Sequence, residues 1–150
     1  MDKKVFAKGI QLINSFLNEE DSIQKEQLDT YYLILKDSYL VEEYFFKSIL
    51  LLCKEFKFEY KKAPSPATIL EYYSKYIELT KPISYKVFEQ ILLEIKMYHQ
   101  TPKYNQKVLK ALDFIGGINV LRQATDREIR ELRNKFIFAY EKQNKNNLIK

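Results

Sequence analysis

The chain has 150 residues, 46% of them hydrophobic and 15% aromatic, with 12 Tyr, 10 Phe and no Trp. That is enough apolar surface for one ordinary folded domain, or a domain with a small appendage, and it argues against an intrinsically disordered chain. The net charge of +5 is unevenly spread: residues 1–50 sum to −3, residues 51–100 to +2 and residues 101–150 to +6. Such polarity points to two surfaces with different partners, or to a self-complementary assembly, against a plainer reading as lysine-rich solvated surface.

Apolar side chains recur at helical spacing from the start. Phe6, Ile10, Ile13, Phe16 and Leu17 form one stripe, closed by the polar cluster Asn18 to Ser22. No small-residue cleavage site follows Met1-Asp2-Lys3-Lys4, so no signal peptide is expected. Leu28, Tyr31, Tyr32 and Leu35 form a second, shorter stripe. Asp37 or Ser38 is the expected cap of a third helix, reaching about Phe56, with Val41, Tyr44, Phe45, Ile49, Leu52 and Phe56 on one side. Phe46, Leu50 and Leu51 cover its other side, the pattern of a helix wrapped by its neighbours. Cys53 lies in this apolar run and reads as a buried structural thiol; a single cysteine cannot form an internal disulfide, which fits a reducing cytoplasm.

Phe56 to Tyr60 alternates, but an isolated strand has nothing to pair with, so a helix end and an extended connection are expected. Pro64 closes that connection, Ser65 is the expected N-cap and Pro66 the first residue of the next helix. That helix shows Ile69, Tyr72, Tyr73, Tyr76 and Ile77; its tyrosines read as core, with base stacking as the alternative. After Lys81-Pro82, Ser84 is expected to cap a helix burying Val87, Phe88, Ile91, Leu92, Ile95 and Tyr98. Thr101-Pro102 then opens a helix carrying Val108, Leu109, Leu112 and Ile115.

Gly116 and Gly117, two of only three glycines, end that helix, because glycine accepts the left-handed backbone without a Cβ penalty. Thr125 and Glu128 form a T-x-x-E capping box for a last helix burying Ile129, Leu132, Phe136, Ala139 and Tyr140. The expectation is an all-α bundle of about seven helices ending in a helix-Gly-Gly-helix hairpin. A break at Pro102 would leave a five-helix body, residues 1–100, and a basic two-helix hairpin with a short polar tail, residues 101–150, with one continuous domain as the alternative.

Catalytic signals are weak. Three glycines exclude a P-loop or a G-x-G-x-x-G fingerprint, and one His with one Cys excludes a Cys/His zinc site. His99 reads as a helix C-terminal cap. Glu59-Tyr60-Lys61 matches an E-x-K nuclease fragment but lacks the sheet that would align carboxylates. Glu19-Glu20-Asp21 and Glu42-Glu43 lack calcium-loop spacing and read as solvated surface. No enzyme, metal, cofactor or small-molecule substrate is expected, and the longest apolar runs, about five residues, are too short to span a membrane. Binding signals are better. Arg127, Arg130 and Asn134 share one stripe of the last helix, with Arg133 flanking its apolar face; with Arg122 and Lys135 they could follow phosphates. Ion pairs with Glu128, Glu131 and Glu141 on the same helix are the competing account.

Two segments resemble small phage-type replication proteins of the replicative helicase loader and inhibitor kind. One, Leu28 to Tyr73, has an aromatic-bearing helix ending in Leu35-Lys36-Asp37, a long apolar helix and then Pro64-Ser65-Pro66-Ala67-Thr68-Ile69; the other is Ile115-Gly116-Gly117, then Leu121, then Phe136 and Tyr140. Together they cover about half the chain; where relatives often carry Trp after the Gly-Gly, this chain has Ile118, and its tail is short. The resemblance implies a non-enzymatic replication accessory protein that contacts a hexameric helicase; with the charge split, it makes the basic hairpin, Leu148 and Ile149 the expected contact points for helicase or DNA. A DNA-binding phage regulator using the last helix, or a small inhibitor or adaptor of a host protein, are the alternative readings.

Overall fold

The computed structural model describes residues 1–56, 62–97 and 103–147, with side chains in the last helix as far as Gln143. Within them the secondary structure is eight α-helices and one short 3-10 turn, with no strand. The all-α expectation holds. The helices are α1 (Lys3–Asn14), α2 (Lys25–Lys36), α3 (Glu42–Glu55), α4 (Pro66–Thr80), α5 (Ile83–Met97), α6 (Gln106–Phe114), α7 (Ile118–Gln123) and α8 (Asp126–Asn147). They group into two compact units, Met1–Thr80 and Lys81–Lys150. The punctuation of the sequence put a division at Pro102, which lies outside the described residues; packing instead groups α5 with the C-terminal helices, because its apolar face is buried against α8 and α7.

In the first unit α3 is central, packed by α1 on one side and α4 on another. Gly9 makes the α1 contact close: a Cβ there would stand 2.9 Å from Cε1 of Phe45. Phe6, Ile10 and Ile13 are buried as the spacing requires, but Phe16 is 52% exposed. The reason is Asn14, whose side chain accepts from the Ile23 N–H at 2.9 Å and donates to the Ile23 carbonyl at 3.2 Å. That paired contact turns the chain back and buries Ile23 instead.

Asp37 and Ser38 do not start α3. Asp37 is the C-cap of α2, the Ser38 hydroxyl donates to the Ile34 carbonyl, and Tyr39 takes a left-handed φ of 54°. Val41 then precedes α3, and Leu40 and Val41 plug the core between the two helices. Nor is α3 covered all round, since Leu50 is 48% exposed. Ser65 does cap α4, its Oγ accepting from the Thr68 N–H at 3.2 Å, and Pro66 opens the helix. Ile69, Tyr73 and Ile77 are its buried stripe, while Tyr76 meets the Tyr44 ring with centroids 6.2 Å apart.

The second unit is built around Phe88, Ile91 and Ile95 of α5, Val108, Ala111 and Leu112 of α6, Leu121 of α7, and Phe136 and Tyr140 of α8. The rings of Phe88 and Phe136 lie 5.3 Å apart, and Phe136 stacks on Tyr140 at 5.9 Å. Ser84 is not a cap. It sits in the first turn of α5, fully buried, and donates its hydroxyl to Oε1 of Glu141 at 2.6 Å. Thr101-Pro102 is outside the described residues, and α6 begins at Gln106 with Asn105 as its cap, Oδ1 accepting from the Val108 N–H. The expected two-helix hairpin contains a third, short helix: α7 occupies the span between the glycines and the Thr125 cap.

Candidate interaction surface

Gly116 and Gly117 take φ values of 94° and 86°, and the Gly117 N–H donates to the Leu112 carbonyl at 2.8 Å, closing α6. With ψ at 178°, Gly117 occupies a region essentially reserved for glycine. The turn launches α7 so that Leu121 is buried and Asn119, Val120, Arg122 and Gln123 are exposed. The α8 capping box is formed: the Thr125 N–H donates to Oε2 of Glu128 at 2.8 Å, and the Glu128 N–H donates to Oγ1 of Thr125 at 3.4 Å. The backbone donor and hydroxyl hold the Glu128 carboxyl below the usual range.

The cationic side chains singled out in the sequence are not all at the surface. Arg127 and Arg130 are exposed on the first turns of α8, and Arg122 is exposed on α7, where Nη1 donates to Oδ1 of Asn119 at 3.4 Å. Lys135 is half-buried. Arg133 is only 7% exposed, its guanidinium carbon 5.0 Å from the centroid of the Tyr85 ring. A side chain held that way packs the α5–α8 interface and does not present charge to a phosphate. The buried face of α8 is Arg133, Phe136, Ile137 and Tyr140, while Ile129, Leu132 and Ala139 are only partly covered. The face is thus turned from the one that apolar spacing alone marks out. Leu148 and Ile149 lie outside the described residues, as do His99 and Glu59-Tyr60-Lys61.

Along α6 and α8, Lys107 places Nζ 3.5 Å above the Tyr140 ring, and Gln143 donates to the Lys107 carbonyl at 3.0 Å. Burial pulls the Lys107 ammonium below its ordinary value, opposed by the nearby Glu141 carboxylate. Tyr104 donates its hydroxyl to Oε2 of Glu94 at 3.0 Å, and burial with that carboxylate raises its pKa strongly. These are packing arrangements that hold α8 and the α5–α6 connection in place. Cys53 is half-buried, not buried, and desolvation raises its thiol pKa, away from the reactive thiolate.

Exposed apolar side chains were not legible as such in the sequence. On α5, Ile83 is 72%, Leu93 42% and Met97 68% exposed. At 100° per residue these three, with the exposed Lys86 and Gln90 between them, lie within about 80° of arc. Leu92 and Leu93 are adjacent in an otherwise regular stripe, and that doubling was the available signal. Among the described residues no group of three His, Cys, Asp or Glu side chains is placed to hold a metal ion, and no helix is long and apolar enough to cross a membrane. No family model, curated protein or solved structure matches this chain.

Proposed function

We propose that this chain is a non-enzymatic accessory protein of DNA replication that works by docking onto a replicative helicase through α5. The observation that carries the reading is the row of Ile83, Leu93 and Met97, exposed on one face of a helix whose other face is fixed in a core. Leu93 and Met97, four residues apart, have the spacing of the apolar anchors by which helices dock into a partner's groove, and exposed apolar groups that share one helix face mark interaction sites. The likeness of Leu28–Tyr73 and Ile115–Tyr140 to helicase loaders and inhibitors supplies the partner class. Preferential binding to one helicase conformation would shift the balance between its loaded and unloaded states.

The test is capture of a purified replicative helicase by the full chain and by a Leu93→Asp, Met97→Asp double variant. Loss of capture in the variant, with its melting temperature retained, supports the reading; equal capture removes α5 from the contact. Point variants are used because removing α8 would open the core around Phe88.

A further inference from the structure

We propose that α7 is an element that reads base edges in the major groove of duplex DNA. α6 ends, Ile115, Gly116 and Gly117 turn the chain, and α7 follows as a second helix anchored by Leu121. Two helices joined by a three-residue connection that contains glycine match the connection by which helix-turn-helix proteins lead into a reading helix. Six residues rise about 9 Å, which fits within a major groove about 12 Å wide.

The side chains that α7 presents are of the reading type. Asn119 and Gln123 are four apart on one side, and their amides match the donor–acceptor pair of adenine. Arg122, beside Asn119 and in hydrogen-bond contact with it, carries the guanidinium that matches guanine. Val120, 39% exposed and next to Asn119 in the chain, is the apolar contact a thymine methyl takes. No acidic residue occurs between Phe114 and Thr125. The acidic groups nearest in sequence, Asp113, Asp126 and Glu128, are on neighbouring helices, and Glu128 is engaged by Thr125.

Cations flank this helix. Lys96 at the end of α5 is exposed and donates to the Ala124 carbonyl at 3.4 Å, which places its ammonium at the C-terminal end of α7. Arg127 and Arg130 are exposed at the start of α8, one short turn further on. The whole unit, Lys81–Lys150, carries 14 basic and 7 acidic side chains, a net +7, against −2 for Met1–Thr80. Duplex DNA is the occupant that this charge and these amides fit together: cations for phosphates, amides and Arg122 for bases.

The experiment selects bound sequences from a random duplex library with the full chain, then titrates the selected and a scrambled duplex by fluorescence anisotropy across a salt series. Arg122→Ala and Asn119→Ala are expected to cut the preference for the selected duplex by roughly 5- to 150-fold each, leaving the scrambled duplex little changed. Arg127→Ala with Arg130→Ala is expected to weaken both duplexes alike and to lower the salt slope by about 2. These residues are exposed, so circular dichroism melts of each variant should match the parent. An unenriched library, absence of binding at about 50 mM salt, or equal loss on both duplexes in the α7 variants overturns the proposal. The α5 variants of the helicase test leave α7 untouched, so the two readings fail separately.

Discussion

The phenol oxygen of Tyr73 accepts a hydrogen bond from the buried backbone N–H of Val41 at 3.1 Å. Val41 is the residue before α3, so its N–H has no partner within the helix, and the hydroxyl arrives from α4 to take it. Tyr73→Phe keeps the ring and deletes the hydroxyl that takes this N–H. An orphaned buried N–H costs about 1–3 kcal/mol. Urea unfolding should show that loss, and an unchanged midpoint would mean that Val41 finds another acceptor.

Gly9→Ala tests the closeness of α1 to α3. Alanine favours a helix over glycine by about 1 kcal/mol, but over-packing costs about 1–3 kcal/mol. With a Cβ only 2.9 Å from Cε1 of the fully buried Phe45, the over-packing should prevail. In a Phe45→Leu background the obstructing ring atom is gone, and Gly9→Ala should turn neutral or stabilising. The same sign in both backgrounds would refute the contact as the cause.

Gly116 and Gly117 should fail for different reasons. At Gly117 a Cβ meets nothing within 4 Å, so Gly117→Ala loses about 1–3 kcal/mol through backbone strain alone. At Gly116 a Cβ would also stand 2.9 Å from Cγ2 of Val120. Adding Val120→Ala should therefore recover part of the loss from Gly116→Ala and none of that from Gly117→Ala, as read by denaturant titration of the double variants.

Arg133 and Arg127 separate packing from surface charge. Arg133→Ala should destabilise the protein by about 1–3 kcal/mol, because it removes a buried stem and the guanidinium against Tyr85. Arg127→Ala, on an exposed side chain, should leave the melting temperature within error. Matching melts for the two variants would place Arg133 at the surface.

The capping box gives a pH dependence of known sign. The Glu128 carboxyl is held below its usual value, first by the Thr125 N–H and then by the Thr125 hydroxyl. A depressed folded-state pKa contributes stability above the unfolded value, about 4.3, that is lost as pH falls through the folded value. Glu128→Gln should therefore show a shallower acid limb in melting temperature below about pH 4.5 than the parent. Parallel limbs would show that the box does not couple to folding.

Much of the fold lies in local rules that need no tertiary information. Helical spacing of Phe6, Ile10 and Ile13, the Ser65-Pro66 start, the Gly-Gly stop and the Thr125–Glu128 box are set by backbone chemistry within a few residues. Each recurs in the structure because nothing distant competes with it. What the sequence could not decide is which polar residue serves its neighbours and which serves another helix. Ser84 has the composition of a cap yet donates to Glu141, 57 residues away, and Asn14 turns the chain by holding Ile23. Arg133 reads as surface charge, and only the Tyr85 ring and the rotation of α8 put it inside. The apolar face of α5 is the same case in reverse: Leu93 and Met97 look like core by type, and burial is settled by whether a neighbouring helix covers them. Spacing fixes which side chains share a face; long-range packing selects the face that meets water.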